Sequence, residues 1–487
     1  MIYRIAILTL LSLSTALAQT APHFSKDVQQ YIKYSTPRIV LEHVRVIDGT
    51  GKPAMDDRNV VIENGKIISV EDGSDVGSAP GTTVLDLRGS TVLPGIVGMH
   101  NHLFYIARPN LDAAGHSEDP LMVPQMSFSA PRLYLAAGVT TMRTTGSVEG
   151  ASDLNLRELI DSGQIIGPHL DVTAPYLQGK SELFMQMYQL KDAADARRFV
   201  DFWAGSGATS FKAYMHITRA ELKAAVDEAH KHGIKVTGHL CSVTYPEAIE
   251  AGIDDLEHGF FVNTQLAPNK QPDVCPVADN MGYFQHTDAT SPEAKALIQN
   301  LIAHHVAITS TLPVFENMIP NRPPLNPQAM DALAPEARTA YLYSRNLTAS
   351  LPADKAEQRL TVFKRDLAME YAFSKAGGLL IAGPDPTGNG GTIPGFADHR
   401  EIELLVEAGF TPVEAIRIAT LNGAIYEGRD KQIGSIEPNK NADLFIVKGD
   451  PSKNINDVEN VELVIKDGVA FDPEKILASV KGRYGEY

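Results

Sequence analysis

The chain has 487 residues, 44% hydrophobic and 21% charged, with 43 Lys plus Arg against 59 Asp plus Glu and a formal charge of −16. An ordinary apolar share and only two cysteines exclude a disordered chain, a fibrous repeat and a disulfide scaffold. The acidic balance repels phosphate backbones and argues against nucleic acid as a partner, and the length allows about three domain-sized units.

Residues 1–18 read as a secretory signal peptide: Arg4, an apolar run from Ile5 to Leu11, and Ala16-Leu-Ala18 as the cleavage site. The run is shorter than the ~20 residues a spanning helix needs. The expectation is a mature protein in a periplasm or secreted, with no membrane attachment after cleavage. In such a compartment Cys241 and Cys275 either form a disulfide or remain two unrelated buried thiols.

Residues 38–48 alternate and are rich in β-branched types, and two apolar runs over 60–70 flank Asn64-Gly65, a dipeptide suited to a tight hairpin. Further strands are expected at 83–87 and 91–93. Near the other end, 442–448 and 461–471 read as strands, the latter turning at Asp467-Gly468. Neither terminal set makes a stable sheet alone. They are expected to pair into one small β domain (19–93 with 432–487), the middle of the chain being inserted between them. From 94 to 431, strands alternate with helices, such as the amphipathic stretch Thr218 to His232 and the helix 245–251, which argues for a parallel sheet or barrel. Residues 317–356, rich in Pro, Asn and Ala, are expected to form an excursion near the mouth of the site.

The chemistry-bearing residues fall at predicted strand ends. His100 and His102 lie at i, i+2 after an apolar run, so on a strand both imidazoles project to one side. Lys212 sits within a strand, and His239, His258 and Asp385 each end one. Barrel enzymes gather catalytic groups at the C-terminal ends of parallel strands. His116, His216 and the pair His304-His305 read as loop or surface histidines.

With these residues in view, the sequence resembles the amidohydrolase superfamily of metal-dependent hydrolases. It is most similar to the branch of prolidases and imidazolonepropionases, with its Xaa-Pro and Xaa-Arg dipeptidases and ochratoxinase-like members. The likeness rests on Pro94-Gly95 before the His pair, Gly138-Val-Thr-Thr-Met-Arg143, Phe211-Lys212, Glu257-His258-Gly259, Gly383-Pro-Asp385 and the tail from Gly434 to Asp443. It implies an α/β fold, a (β/α)8 TIM-like barrel with a small β-sandwich built from both termini. It implies two divalent ions, zinc by donor type: His100 and His102 on one, His239 and His258 on the other. Asp385 would be both ligand and proton shuttle, and Lys212 would bridge both ions as an N-carboxylated lysine. An ammonium has no lone pair to offer, whereas a carbamate has two oxygens.

Two such ions lower the pKa of a shared water to near 7 and so supply hydroxide at neutral pH. The expected reaction is hydrolysis of an amide or peptide C–N bond in a small molecule, of dipeptide or N-acyl amino acid type. Tyr214, two residues after Lys212, is a candidate oxyanion donor or a packed core tyrosine; His169 and Arg143 are candidates to hold a substrate carboxylate. The sequence departs from the family pattern at Asn101, between the paired histidines, at Thr144, where Asp is frequent, and at His169, where Gly-Pro-Arg is common. Rival readings are a cyclic-amide or imidazolone hydrolase, a lactonase or organophosphate hydrolase, a mononuclear deaminase and a metal-dependent binding protein without activity. Self-association into a homo-oligomer is left open.

Overall fold

A computed structural model describes residues 24–75, 77, 79–106, 110–111, 117–118, 122–180, 184–276, 287–387 and 391–486. The leader 1–18 and His116 lie outside the described residues.

The N-terminal strands are β1 (Ile32–Tyr34), β2 (Arg38–Val46), β3 (Met55–Glu63), β4 (Lys66–Asp72), β5 (Thr82–Asp86) and β6 (Ser90–Pro94). Then follow β7 (Ile96–Asn101), the short pair β8 (Asn110–Leu111) and β9 (Ser117–Glu118), β10 (Val139–Thr144), β11 (His169–Asp171) and β12 (Ser210–Ala213). After these come β13 (Lys235–Gly238), β14 (Asp255–Glu257), β15 (Ala307–Ser310) and β16 (Leu380–Ala382), and the chain ends with β17 (Leu444–Lys448), β18 (Val461–Lys466) and β19 (Val469–Phe471).

Both ends of the chain enter one nine-stranded sheet, in the order β1-β19-β18-β17-β6-β2-β3-β4 with β5 beside β2. The seam is the antiparallel pairing of β6 with β17, where Leu93 faces Phe445. The two expected hairpins turn at Asn64-Gly65 (φ 50° and 79°) and Asp467-Gly468 (φ 52° and 77°), the positive angles a two-residue turn demands. His43 (φ 55°) breaks β2, which pairs with β5 before it and with β6 after it. Ile39, Val60, Val92, Leu444 and Ile465 share one buried cluster, so the apolar positions of each end cover those of the other.

The middle strands are parallel: β11-β10-β7 form one sheet and β12 to β16 another, in chain order. A parallel bridge from Thr173 to Ser210 links the two sheets, and the Asp385 N–H donates to His100 O across 3.0 Å. Helices alternate with these strands. Arg219–Lys231 is closed at its start by a reciprocal Thr218–Glu221 capping box and turns Leu222, Ala225, Val226 and Ala229 inward at helical spacing. Tyr245–Ala251 has the same cap in Thr244 and Glu247, and ends at Gly252 (φ 90°).

The segment 317–356 is mostly helical, with Pro327–Ala332, Pro335–Ala349 and the start of Ala353–Lys375. Its base is pinned by Arg322, which pairs with Glu316 and Glu407. Cys241 and Cys275 are joined in a disulfide, with Cα atoms 4.9 Å apart. Among the described residues no helix is long and apolar enough to cross a membrane.

Candidate metal centre

The C-terminal ends of β7, β12, β13 and β14, with the segment after β16, bring all six expected ligands into direct contact or ring contact. His102 Nε2 lies 3.0 Å from Asp385 Oδ1, and His100 Nε2 lies 3.5 Å from the same oxygen. Lys212 Nζ stands 3.1 Å from His100 Nε2 and also donates to Thr145 O at 3.1 Å. The His258 ring centroid is 4.6 Å from that of His100 and 4.3 Å from that of His239. One ligand atom from each of His100, His258 and Asp385 lies within 4.8 Å of the others, the spacing of donors around one ion.

Backbone geometry serves this convergence. His258 (φ 70°) and Asp385 (φ 55°) are in the left-handed region, where a non-glycine residue is held only by its surroundings; such strain concentrates at functional sites. Gly383 explains the Gly-Pro-Asp motif: a Cβ there would meet His100 N at 2.0 Å, so only glycine lets this segment approach β7. Gly259 (φ +57°) does the same behind His258, where a Cβ would meet Glu370 Oε1 at 2.3 Å.

Electrostatics favour ligand-ready forms. His100, His102, Lys212 and His258 are buried, and burial drives the three imidazole pKa values down, keeping neutral rings with a lone pair to give. Burial likewise brings His239 down to about 3. Burial lowers Lys212 to about 8 against the opposing pull of Glu257 and Asp385, so its free-amine share near neutral pH is far larger than that of an ordinary lysine, though still the minor form. Burial works to raise the Asp385 carboxyl, but His100, His102 and Lys212 outweigh it and hold the group well below the usual carboxylate range. His102 Nδ1 and His258 Nε2 are buried with no hydrogen-bond partner. Buried imidazole nitrogens left without partners, on rings that also approach the Asp385 carboxylate, suit a divalent cation, so the residues present fit the expected metal.

Two expected site residues are elsewhere. Arg143 is fully buried beneath the cluster and cannot reach a substrate: its Nη2 pairs with Asp255 at 2.8 Å and Glu257 at 2.9 Å, and its Nε donates to Met99 O. It is the counter-charge of two interior carboxylates. His169 opens β11, at the strand end away from the cluster, and faces Asp161 and Asp467. Tyr214 is at the site, its ring 5.1 Å from His239 and 4.6 Å from Tyr176. Asn101 and Thr144 serve the scaffold: Asn101 Nδ2 donates to Asp398, and Thr144 Oγ1 accepts from Thr173 N–H. His304 and His305 are exposed.

Sequence reasoning missed the support of the histidines. Glu257 Oε2 lies 2.6 Å from His100 Nδ1, which orients Nε2 toward the cluster, and Thr311 Oγ1 lies 2.9 Å from His258 Nδ1. A signal was present: Asp255 and Glu257 at i, i+2 on an apolar parallel strand need an interior cation, and Arg143 on another buried strand is one.

The profile of the Amidohydrolase family matches residues 91–470. The chain belongs to that family. It is thereby a hydrolase acting on carbon–nitrogen bonds. An uncharacterized protein of Mycobacterium tuberculosis is 27% identical over 451 residues, covering 90% of this chain and 97% of its own. Among solved structures, a putative prolidase from Bifidobacterium longum superposes with a TM-score of 0.64 at 24% identity, covering 91% of this chain and 99% of its own. A Xaa-Pro dipeptidase with methionine bound in its active site superposes with a TM-score of 0.65 at 21% identity, over 89% of this chain and 100% of its own.

Proposed function

We propose that this amidohydrolase is an exported enzyme that cleaves the amide or peptide bond of a dipeptide or N-acyl amino acid, using two divalent ions. The eight parallel strands close into a TIM-like barrel over 94–431, and the nine-stranded sheet folds over as a sandwich. His100, His102 and Asp385 would hold one zinc-type ion, His239 and His258 the other, and a carboxylated Lys212 would bridge them. Bound there, the ions would acidify a water and polarise the scissile carbonyl. The observation that carries the reading is Asp385 Oδ1, within 3.5 Å of both His100 and His102 on the lip of the cluster.

Asp385 is a carboxylate that contacts both histidines of that pair and is kept ionised, so it accepts a proton from the attacking water and returns it to the leaving nitrogen. Tyr214 stays a protonated phenol, because burial and Asp385 raise its pKa, and it donates to the developing oxyanion. The free-amine share of Lys212 is the form that reacts with CO2, which supports its carboxylation. The leader pattern and the Cys241–Cys275 disulfide support an oxidising compartment.

The deciding experiment is a turnover screen over N-acyl amino acids, dipeptides, cyclic amides and lactones, with metal counted per chain. Hydrolysis of the linear amides, lost in Asp385→Asn with most of the metal retained, is expected. Turnover of lactones alone would sink the reading, and one ion per chain with full activity in Lys212→Ala would remove the bridged pair.

A further inference from the structure

We propose that His169, Asp443 and Asp467 form a second cation site, separate from the catalytic cluster, which takes a divalent ion of the zinc class and clasps the parallel strands to the terminal sheet. One ligand atom from each of the three lies within 4.8 Å of the others. They come from three places: His169 opens β11, Asp443 immediately precedes β17, and Asp467 sits in the turn between β18 and β19.

Two buried atoms distinguish this cluster from a surface ion pair. Asp443 is only 3% exposed; its Oδ1 accepts the Asp467 N–H at 2.8 Å, while its Oδ2 is buried with no hydrogen-bond partner. A buried carboxylate oxygen left unpaired is costly unless a cation meets it. His169 Nε2 is likewise buried without a hydrogen bond, although Asp467 Oδ2 is only 3.0 Å away. That oxygen lies off the direction in which the ring nitrogen points. Two buried ligand atoms without hydrogen bonds, in a group whose members lie within 4.8 Å of one another, are spaced as co-ligands of one ion.

The surroundings complete the pattern. His169 Nδ1 lies 3.5 Å from Asp161 Oδ1, the carboxylate contact that fixes the tautomer of a metal-bound imidazole. Lys466 Nζ, 3.6 Å from Asp467 Oδ2, is the competing cation. Against that one ammonium stand Asp161, Asp443 and Asp467, and with a neutral imidazole a divalent ion balances this contact set. One nitrogen and two carboxylates, with water as the fourth ligand, suit zinc. The rival is an imidazolium paired with Asp161 and Asp467, which would leave Asp443 Oδ2 unanswered.

The test uses the purified full-length enzyme equilibrated in zinc buffer, with ions counted per chain by atomic emission. Wild type should hold one more ion per chain than Asp467→Asn or His169→Gln, and added zinc should raise its Tm further than theirs. Asp467 is a half-exposed turn residue at φ 52°, an angle asparagine adopts readily, so the first variant keeps its fold. Equal zinc content in wild type and both variants would overturn the site and leave the imidazolium pairing. Because the catalytic cluster is intact in all three, that outcome would not touch the proposed function.

Discussion

Replacing Arg143 with methionine separates a structural guanidinium from a substrate-binding one. In the folded chain Arg143, Asp255 and Glu257 are fully buried, with nitrogen–oxygen distances of 2.8 and 2.9 Å. Breaking a buried pair strands its partner in low dielectric, which costs about 3–5 kcal/mol. Here two partners are stranded, and burial already lifts the Asp255 carboxyl to about 6 with the arginine in place. Protonation would spare part of the cost, so Arg143→Met should lose about 3–5 kcal/mol, with a larger loss at pH 8 than at pH 6. The perturbation also reaches the metal, because Glu257 orients His100 and removing such an outer contact lowers metal affinity by roughly 10–100-fold. Denaturant midpoints, chelator competition for zinc and steady-state kinetics read the three effects. Unchanged stability and zinc affinity, with KM for carboxylate-bearing substrates raised tenfold or more, would refute the argument and return Arg143 to the substrate.

Tyr214→Phe should lower kcat by about 10²-fold with KM and metal content held, since an oxyanion donor acts in the transition state; an unchanged kcat would leave Tyr214 as packing against Tyr176 and His239. The disulfide closes a separation of 34 residues, so Cys241→Ala with Cys275→Ala should cost about 4 kcal/mol by chain entropy, read as a lower urea midpoint that reductant no longer shifts. Burial raises the Asp153 carboxyl from 3.8 to about 7. Because the folded form holds the proton more tightly, this group favours folding below pH 4 and that advantage fades as pH rises to 7, by about 4 kcal/mol in all. Asp153→Asn should therefore flatten that part of the stability–pH curve; an unchanged slope would show the carboxyl to be ionised throughout.

Much of the scaffold was legible in the sequence because it is encoded locally. Asn64-Gly65 and Asp467-Gly468 supply the positive φ of two-residue turns, and Thr218 with Glu221 caps a helix whose apolar residues recur at helical spacing. The six candidate positions that the structure clusters were legible too, since each ends or interrupts an apolar strand, where a polar side chain has little reason to sit unless it has chemistry to do. The family motifs reached that same set of residues.

Only the tertiary structure decided where charges point and what they meet. Arg143 and His169 looked alike in sequence, as cationic or ionisable side chains beside parallel strands. One is the buried partner of Asp255 and Glu257 beneath the cluster, and the other lies at the far end of its strand among Asp161, Asp443 and Asp467. The physical reason is that periodicity fixes the face a side chain takes on its own element, whereas most of the electrostatic partners, Asp255 and Glu257 for Arg143 and Asp443 and Asp467 for His169, lie more than a hundred residues away. Desolvation then sets the protonation state of Lys212 and the histidines, and neighbouring groups override it at Asp385; both depend on a burial and a packing which no local pattern records.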